Sequence, residues 1–256
     1  MLKRIQLTLN IFSLFLILLP QVTRAQSLAA LPGGRTFIGS IDYYPVVAHV
    51  AIQGKSVKGH YFYLKRGKPL DLSGTYEAST GKWKITESVS GKPTGYFEVN
   101  LTMDEILGDW SAKSDLSDPK EVTLNEVEIK AYDPSGVQAL RIGGRYATTH
   151  NIMMYDGENE EGDPVEHEEE VTDDLYVRGL GSGVFAYYIS VLGTNAHTGE
   201  VSGLGEMTNA TTGKSSNSDC ALTFDFSKAG EVSVTEVDCE DYHGARVTFD
   251  QTFTKR

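Results

Sequence analysis

Glu87 and Glu236 are the residues whose setting gives a carboxylate chemistry to do. Each closes a run in which apolar and polar residues alternate, Trp83-Lys-Ile-Thr-Glu87 and Val232-Ser-Val-Thr-Glu236. Alternate residues of an extended strand share a face, so Glu87 is directed with Trp83 and Ile85, and Glu236 with Val232 and Val234. A carboxylate facing an apolar interior, as in the mouth of a small barrel, has its pKa raised or receives a cationic group of a ligand. With a second carboxylate about 5–9.5 Å away across an open cleft, either glutamate would serve a glycosidase. A structural use competes with these: a glutamate at a strand end accepts loop N–H groups or pairs with a neighbouring Lys or Arg.

The segments that position the two glutamates are one plan written twice. Gly81-Lys-Trp-Lys-Ile-Thr-Glu-Ser-Val and Gly230-Glu-Val-Ser-Val-Thr-Glu-Val-Asp share their layout, and Gly81/Gly230, Glu87/Glu236 and Gly95/Gly244 all stand 149 residues apart. A glycine turn, an alternating strand, a polar loop and a second glycine make an antiparallel pattern. Eight strands are expected before Tyr132: Phe37 to Ile41, Val46 to Ile52, Val57 to Leu64, Leu70 to Tyr76, Trp83 to Glu87, Tyr96 to Leu101, Ile106 to Trp110 and Val122 to Ile129. After a boundary at Asp133-Pro-Ser-Gly136 come Leu140 to Tyr155, Leu175 to Arg178, Val184 to Leu192, Val201 to Met207, Cys220 to Phe226, Val232 to Val237 and Ala245 to Phe253. No helical stripe is sustained for three turns. The expectation is an all-β protein of two tandem antiparallel meander domains, small barrels or sandwiches, related by internal duplication and spanning residues 36–132 and 133–256.

Residues 156–174 carry ten or more acidic side chains' worth of repulsion with no Lys or Arg among them, and are read as a solvated loop. The run departs from the Asp-x-Asp-x-Asp-Gly calcium pattern, so loose calcium binding at Asp156, Glu158, Glu160 and Asp163 is the one metal reading. The six histidines form no metal-ligand spacing, and no cofactor motif is present. His243, beside Cys239 and Asp241, is the nearest candidate, and it loses the thiolate if the cysteines pair. Rings at Tyr61, Tyr63, Trp83 and Trp110 could stack on a sugar or anchor a protein partner; packing within the core accounts for rings on the inner face.

Compartment follows from the N-terminus. Lys3 and Arg4, the apolar run Ile11 to Leu19, Pro20 and the small-residue exit at Ala25 read as a secretory signal peptide over residues 1–25, followed by a linker at 26–35. The run falls short of the roughly 20 residues needed for a membrane span, so none is expected after cleavage. Losing Lys3, Arg4 and Arg24 with the leader takes the formal charge from −12 to −15. So acidic a chain, lacking a basic cluster, excludes nucleic acid as a partner. Cys220 and Cys239, the only cysteines, are expected to pair in an oxidising compartment. With a turn over Lys228 to Glu231, Phe226 faces Ser233, Leu222 faces Val237 and Cys220 faces Cys239.

The short motifs Gly59-His-Tyr-Phe-Tyr63, Leu70-Asp-Leu-Ser-Gly74, Ile85-Thr-Glu87, Thr94-Gly-Tyr-Phe97 and Gly108-Asp-Trp110, with Cys220-Ala-Leu-Thr-Phe-Asp-Phe226 and Cys239-Glu-Asp-Tyr-His-Gly244, resemble a β-domain of poorly characterised exported proteins of Gram-negative bacteria, Bacteroidetes especially. That resemblance implies export and brings no catalytic residues. Ser73-Gly-Thr-Tyr76 is similar, one residue short, to the Ser-Gly loop that periplasmic lysozyme inhibitors, small eight-stranded barrels, insert into an enzyme cleft. Together these readings point to a periplasmic or secreted, non-enzymatic protein that binds a protein or glycan, with a lysozyme inhibitor and a carboxylate-based hydrolase as alternatives.

Overall fold

The computed structural model describes residues 33–256 except 103, 216 and 218. The expected signal peptide, and the linker as far as residue 32, lie outside the described residues. Two closed, eight-stranded antiparallel barrels follow each other along the chain. The first runs β1 (Gly34–Ile41), β2 (Tyr44–Gln53), β3 (Ser56–Tyr63), β4 (Leu70–Glu77), β5 (Lys82–Val89), β6 (Lys92–Leu101), β7 (Glu105–Ser111) and β8 (Lys120–Val127), with β8 closing on β1. All eight strands expected from alternation are present. Their inward residues, among them Phe37, Val50, Tyr61, Trp83, Ile85, Val99 and Leu124, form one apolar core.

A short helix, α1 (Val137–Ile142), joins the barrels and lies against the second. Gly179 permits this, because a Cβ there would lie 2.3 Å from the Ala139 Cα. The second barrel comprises β9 (Gly144–Glu158), β10 (Pro164–Gly181), β11 (Val184–Gly193), β12 (His197–Met207), β13 (Thr212–Ser215), β14 (Ala221–Asp225), β15 (Glu231–Val237) and β16 (Gln251–Lys255), with β16 closing on β9. Its core is richer in rings, with Phe185, Tyr187, Phe224, Phe249 and Phe253 all fully buried. No described helix is long and apolar enough to cross a membrane, which says nothing about strands.

Several features differ from expectation. Leu140 to Ile142, expected to open a strand, lie in α1, and the strand begins at Gly144. The acidic stretch 156–174 is no loop: Pro164 to Asp174 of β10 pairs with β9, with one register shift between Val165 and Glu166, and only residues 159–163 turn. Pairing satisfies the backbone while the side chains stay in water, so charge repulsion does not prevent the strand; residues 164–170 are all exposed. Beyond the barrel wall the two strands form a ribbon about ten residues long, roughly 30 Å, whose outer edges are unpaired among the described residues. Strand β13, Thr-Gly-Lys-Ser, carries no apolar alternation and was not expected. The region from Ala245 yields a strand only at Gln251–Lys255.

The register of the cysteine hairpin differs as well. The turn is where the sequence places it, with Glu231 N–H donating to Lys228 C=O. The ladder is one residue out of step with that turn, however: Asp225 pairs with Ser233, and Phe226 N–H donates to Thr211 C=O, continuing the β13 side. Leu222 therefore faces Glu236 and not Val237. Cys220 and Cys239 still form a buried disulfide, with Cα atoms 4.4 Å apart.

The barrels meet through outward-facing apolar residues of both. Val47, Phe62 and Leu64 from the first pack with Leu180, Ala186 and Tyr188 from the second, and Tyr132 of the connection lies between them. Beneath Tyr132 sit two buried histidines: His49 stacks on its ring at 4.1 Å, and His60 Nε2 lies 2.9 Å from its hydroxyl.

Candidate functional site

Alternation carries β5 through the first barrel with Trp83, Ile85 and Glu87 all pointing inward, as the sequence implied, and Glu87 is only 4% exposed. Its carboxylate is held from three other strands. Tyr61 Oη of β3 and Trp110 Nε1 of β7, the latter at 3.0 Å, donate to Oε2, and Thr94 Oγ1 of β6 donates to Oε1. These three donors replace the water a buried carboxylate loses. Gly95 makes room for them, since a Cβ there would come within 2.3 Å of Trp110 Nε1 and 2.9 Å of Glu87 Oε2. Burial foremost, then the neighbouring Tyr63 and Glu87, push the Tyr61 phenol far above its ordinary pKa, so it stays a proton donor.

The network is the floor of an open mouth. Below it the barrel is filled, with a residual void of about 20 Å³ among apolar side chains. Above it a cleft of about 490 Å³ is lined by Ile41, Asp42, Tyr44, Tyr63, Lys65, Arg66, Trp110, Lys120 and, from the second barrel, Tyr176. Strand parity explains the lining: Tyr44 continues the inward series of Val46, Ala48 and Val50, Tyr63 follows Tyr61, and Lys120 precedes Val122 and Leu124. Tyr44 meets Tyr63 edge to face at 6.0 Å, and Tyr63 meets Tyr61 at 5.5 Å. Lys65 and Arg66 come from the exposed turn after β3. Compared with family models, curated proteins and solved structures, the chain matches none.

Of the residues singled out in the sequence, Glu87, Tyr61, Tyr63 and Trp110 are brought together here. Trp83 is not; it is buried in the core against Tyr76. Glu236 belongs to the other barrel and has a different task. It accepts from Thr248 Oγ1 and Phe249 N–H, both at 2.8 Å, and lies 3.2 Å from His243 Nε2, fastening residues 238–250 to β15. His243 Nδ1 lies 3.0 Å from Gly244 C=O, so His243 is a brace of that connection. Among the described residues no second carboxylate contributes to the Glu87 network, and both its oxygens are occupied by donors.

The acidic ribbon does not assemble a metal cage: among the described residues no group of three or more His, Cys, Asp or Glu is placed to hold a metal ion. Asp156 pairs with His167 at 2.6 Å, and Asn159 Oδ1 closes the turn by accepting Glu161 and Asp163 N–H groups at 2.9 Å. Glu158 and Glu160 remain solvated. Ser73-Gly-Thr-Tyr76 lies in the middle of β4, paired on both sides, and is not a loop.

The sequence reading missed Tyr44, Lys65, Arg66, Lys120 and Tyr176. Lys120 was accessible to it, two residues before the alternating Val122 and Leu124. Tyr176 was not, because only the packing of the two barrels brings it to the cleft.

Proposed function

We propose that the protein is an exported, non-enzymatic binding protein of the cell envelope that takes a glycan at the mouth of its first barrel. The observation that carries this reading is the open cleft whose wall is built from Tyr44, Tyr63, Trp110 and Tyr176 over a sealed floor. Its volume of about 490 Å³ falls in the range of small-molecule sites. Ring faces offer stacking to the apolar side of a sugar, and the Glu87 bond fixes the Trp110 indole before any ligand arrives, which limits the ordering cost of binding. Hydrolysis is disfavoured because the one carboxylate behind the cleft is screened by its three donors and lacks a partner carboxylate in that network. Export is supported by the leader-like N-terminus and by the Cys220–Cys239 disulfide.

Titration of the full chain with neutral and acidic oligosaccharides, read by tryptophan fluorescence and calorimetry, tests this. Saturable binding without release of reducing ends, lost in Trp110→Ala but kept in Glu236→Gln, is the expected result. Turnover abolished by Glu87→Gln would replace it with the hydrolase reading. Absence of any saccharide binding, together with a salt-sensitive complex with a lysozyme, would replace it with the inhibitor reading.

A further inference from the structure

The chain has a formal charge of −12, yet the mouth of the first barrel gathers three cations, Lys65, Arg66 and Lys120, against one carboxylate, Asp42. We infer that the ligand taken there is a ring compound bearing an anionic group, an acidic sugar, with its charge at the Arg66–Lys120 rim and its ring over Trp110. This rests on the binding function proposed above.

The three cations are not equally free. Lys120 Nζ lies 3.7 Å from Asp42, a loose pair between two partly exposed groups. Lys65 is drawn aside, its ammonium 4.7 Å from the centre of the Tyr188 ring at the seam. Arg66 is exposed, and among the described residues it forms no ion pair. Elsewhere most of the basic side chains whose contacts are seen serve neighbouring acids: Arg35 with Glu126, Lys82 with Glu98, Lys84 with Glu77, Arg145 with Asp174 and Lys228 with Glu231. An unpaired guanidinium at the rim of an aromatic cleft, in a protein with acids to spare, is a planar fork open to a carboxylate or sulfate.

The floor sets the orientation. Glu87 lies directly behind Trp110 and Tyr61, so its charge opposes an anion at the bottom of the cleft and favours one at the rim. An acidic sugar is therefore placed ring down and charge outward. Tyr176 reaches the same cleft from β10, so the second barrel completes the wall.

The test compares oligogalacturonides, sulfated oligosaccharides and neutral oligosaccharides of equal length, titrated into the full chain by calorimetry at low and high salt. The expectation is that one of the acidic series binds at least about tenfold tighter than the neutral one, and that salt erodes the difference. Arg66→Ala should cut that preference about tenfold, the equivalent of one charge-assisted hydrogen bond, and Arg66→Lys should restore part of it. Lys228→Ala, on the second barrel, should leave affinity unchanged. Both Arg66 variants alter an exposed turn residue, and an unchanged melting temperature will verify the fold. Equal affinity for acidic and neutral sugars, or a preference that survives Arg66→Ala, overturns this inference while leaving glycan binding in place. No binding by any of the three series overturns both.

Discussion

Lowering the pH from 7.5 to 4 should loosen the seam between the barrels, and His60 supplies the lever. Its ring is buried at 6% exposure under Tyr132, with His49 stacked on the same tyrosine and Thr36 Oγ1 2.9 Å from His49 Nδ1. Asp71 stands opposite His60 in the β3–β4 ladder, but burial dominates and, helped by the neighbouring His49, lowers the His60 pKa from 6.5 to about 4. Burial lowers His49 in the same direction. The folded protein thus holds a neutral imidazole where the unfolded chain would take up a proton. This contribution to stability is complete above pH 6.5 and is lost progressively as the pH falls towards 4.

At about 1.4 kcal/mol per pH unit, the interval from 6.5 to about 4 makes His60 alone responsible for roughly 3 kcal/mol between pH 7.5 and pH 4. That is a large fraction of the 5–15 kcal/mol or so by which ordinary domains are stable. Carboxylates also protonate over this range, so the informative measurement is a difference. Urea unfolding followed by circular dichroism at both pH values would be compared between the parent and His60→Gln, whose amide can still bond Tyr132 but does not titrate. The variant should lose about 3 kcal/mol less on acidification. Identical pH dependence in the two proteins would refute the reasoning.

Other perturbations have defined outcomes. Reducing Cys220–Cys239, which closes a loop of sequence separation 19, should cost the second barrel about 3 kcal/mol in the chain-entropy model, seen as a lower melting temperature. Glu236→Ala leaves Phe249 N–H without its acceptor, and should cost about 1–3 kcal/mol and speed hydrogen exchange over residues 238–250. Gly95→Ala drives a methyl into Trp110 and Glu87 and should destabilise the first barrel by about 1–3 kcal/mol, with a shifted tryptophan emission. Replacing Glu166, Glu168, Glu169 and Glu170 by Thr strips charge from an exposed ribbon with unpaired edges, and light scattering should then show concentration-dependent self-association absent from the parent.

Much of the fold was legible because period-2 alternation is strong wherever one strand face is buried. Every strand of the first barrel satisfies that condition, and all eight were read from it. Reading failed where alternation does not report pairing. Strand β13 is held by its neighbours against the Phe185 ring with Gly213 facing it, not by apolar residues of its own. The acidic part of β10 pairs with β9 outside the core, so its composition resembles that of a loop. At the site, parity gave the inward direction of Glu87 and Trp83, but not that donors from Tyr61, Thr94 and Trp110 would meet at Glu87. That convergence depends on which strands are neighbours around the barrel, which the meander order supplies only once closure is known. The one-residue slip of the β14–β15 ladder was invisible because a change of register alters no composition.

The repeated glutamate shows how one local pattern acquires two roles. At an offset of 149 residues, β5 falls on β15, the fifth strand of one barrel on the seventh of the other. A closed ring of strands has no first member in space, so the same cassette can occupy either place and still present its glutamate inward. What differs is the connection that follows. After β5 the chain turns at once through Ser90 and Gly91 into β6, leaving the end of the first barrel open above Glu87. After β15 it runs through residues 238–250 before β16 and folds back, burying Phe249 completely in the second core beside Tyr242 and Val247. Glu236 anchors that return through Thr248 and the Phe249 N–H. The carboxylate therefore floors an open mouth in one barrel and secures a plug in the other, and the length of the following connection decides which. The larger cleft thus lies at the mouth of the first barrel, while the second contributes the apolar seam and the Tyr176 ring to its wall.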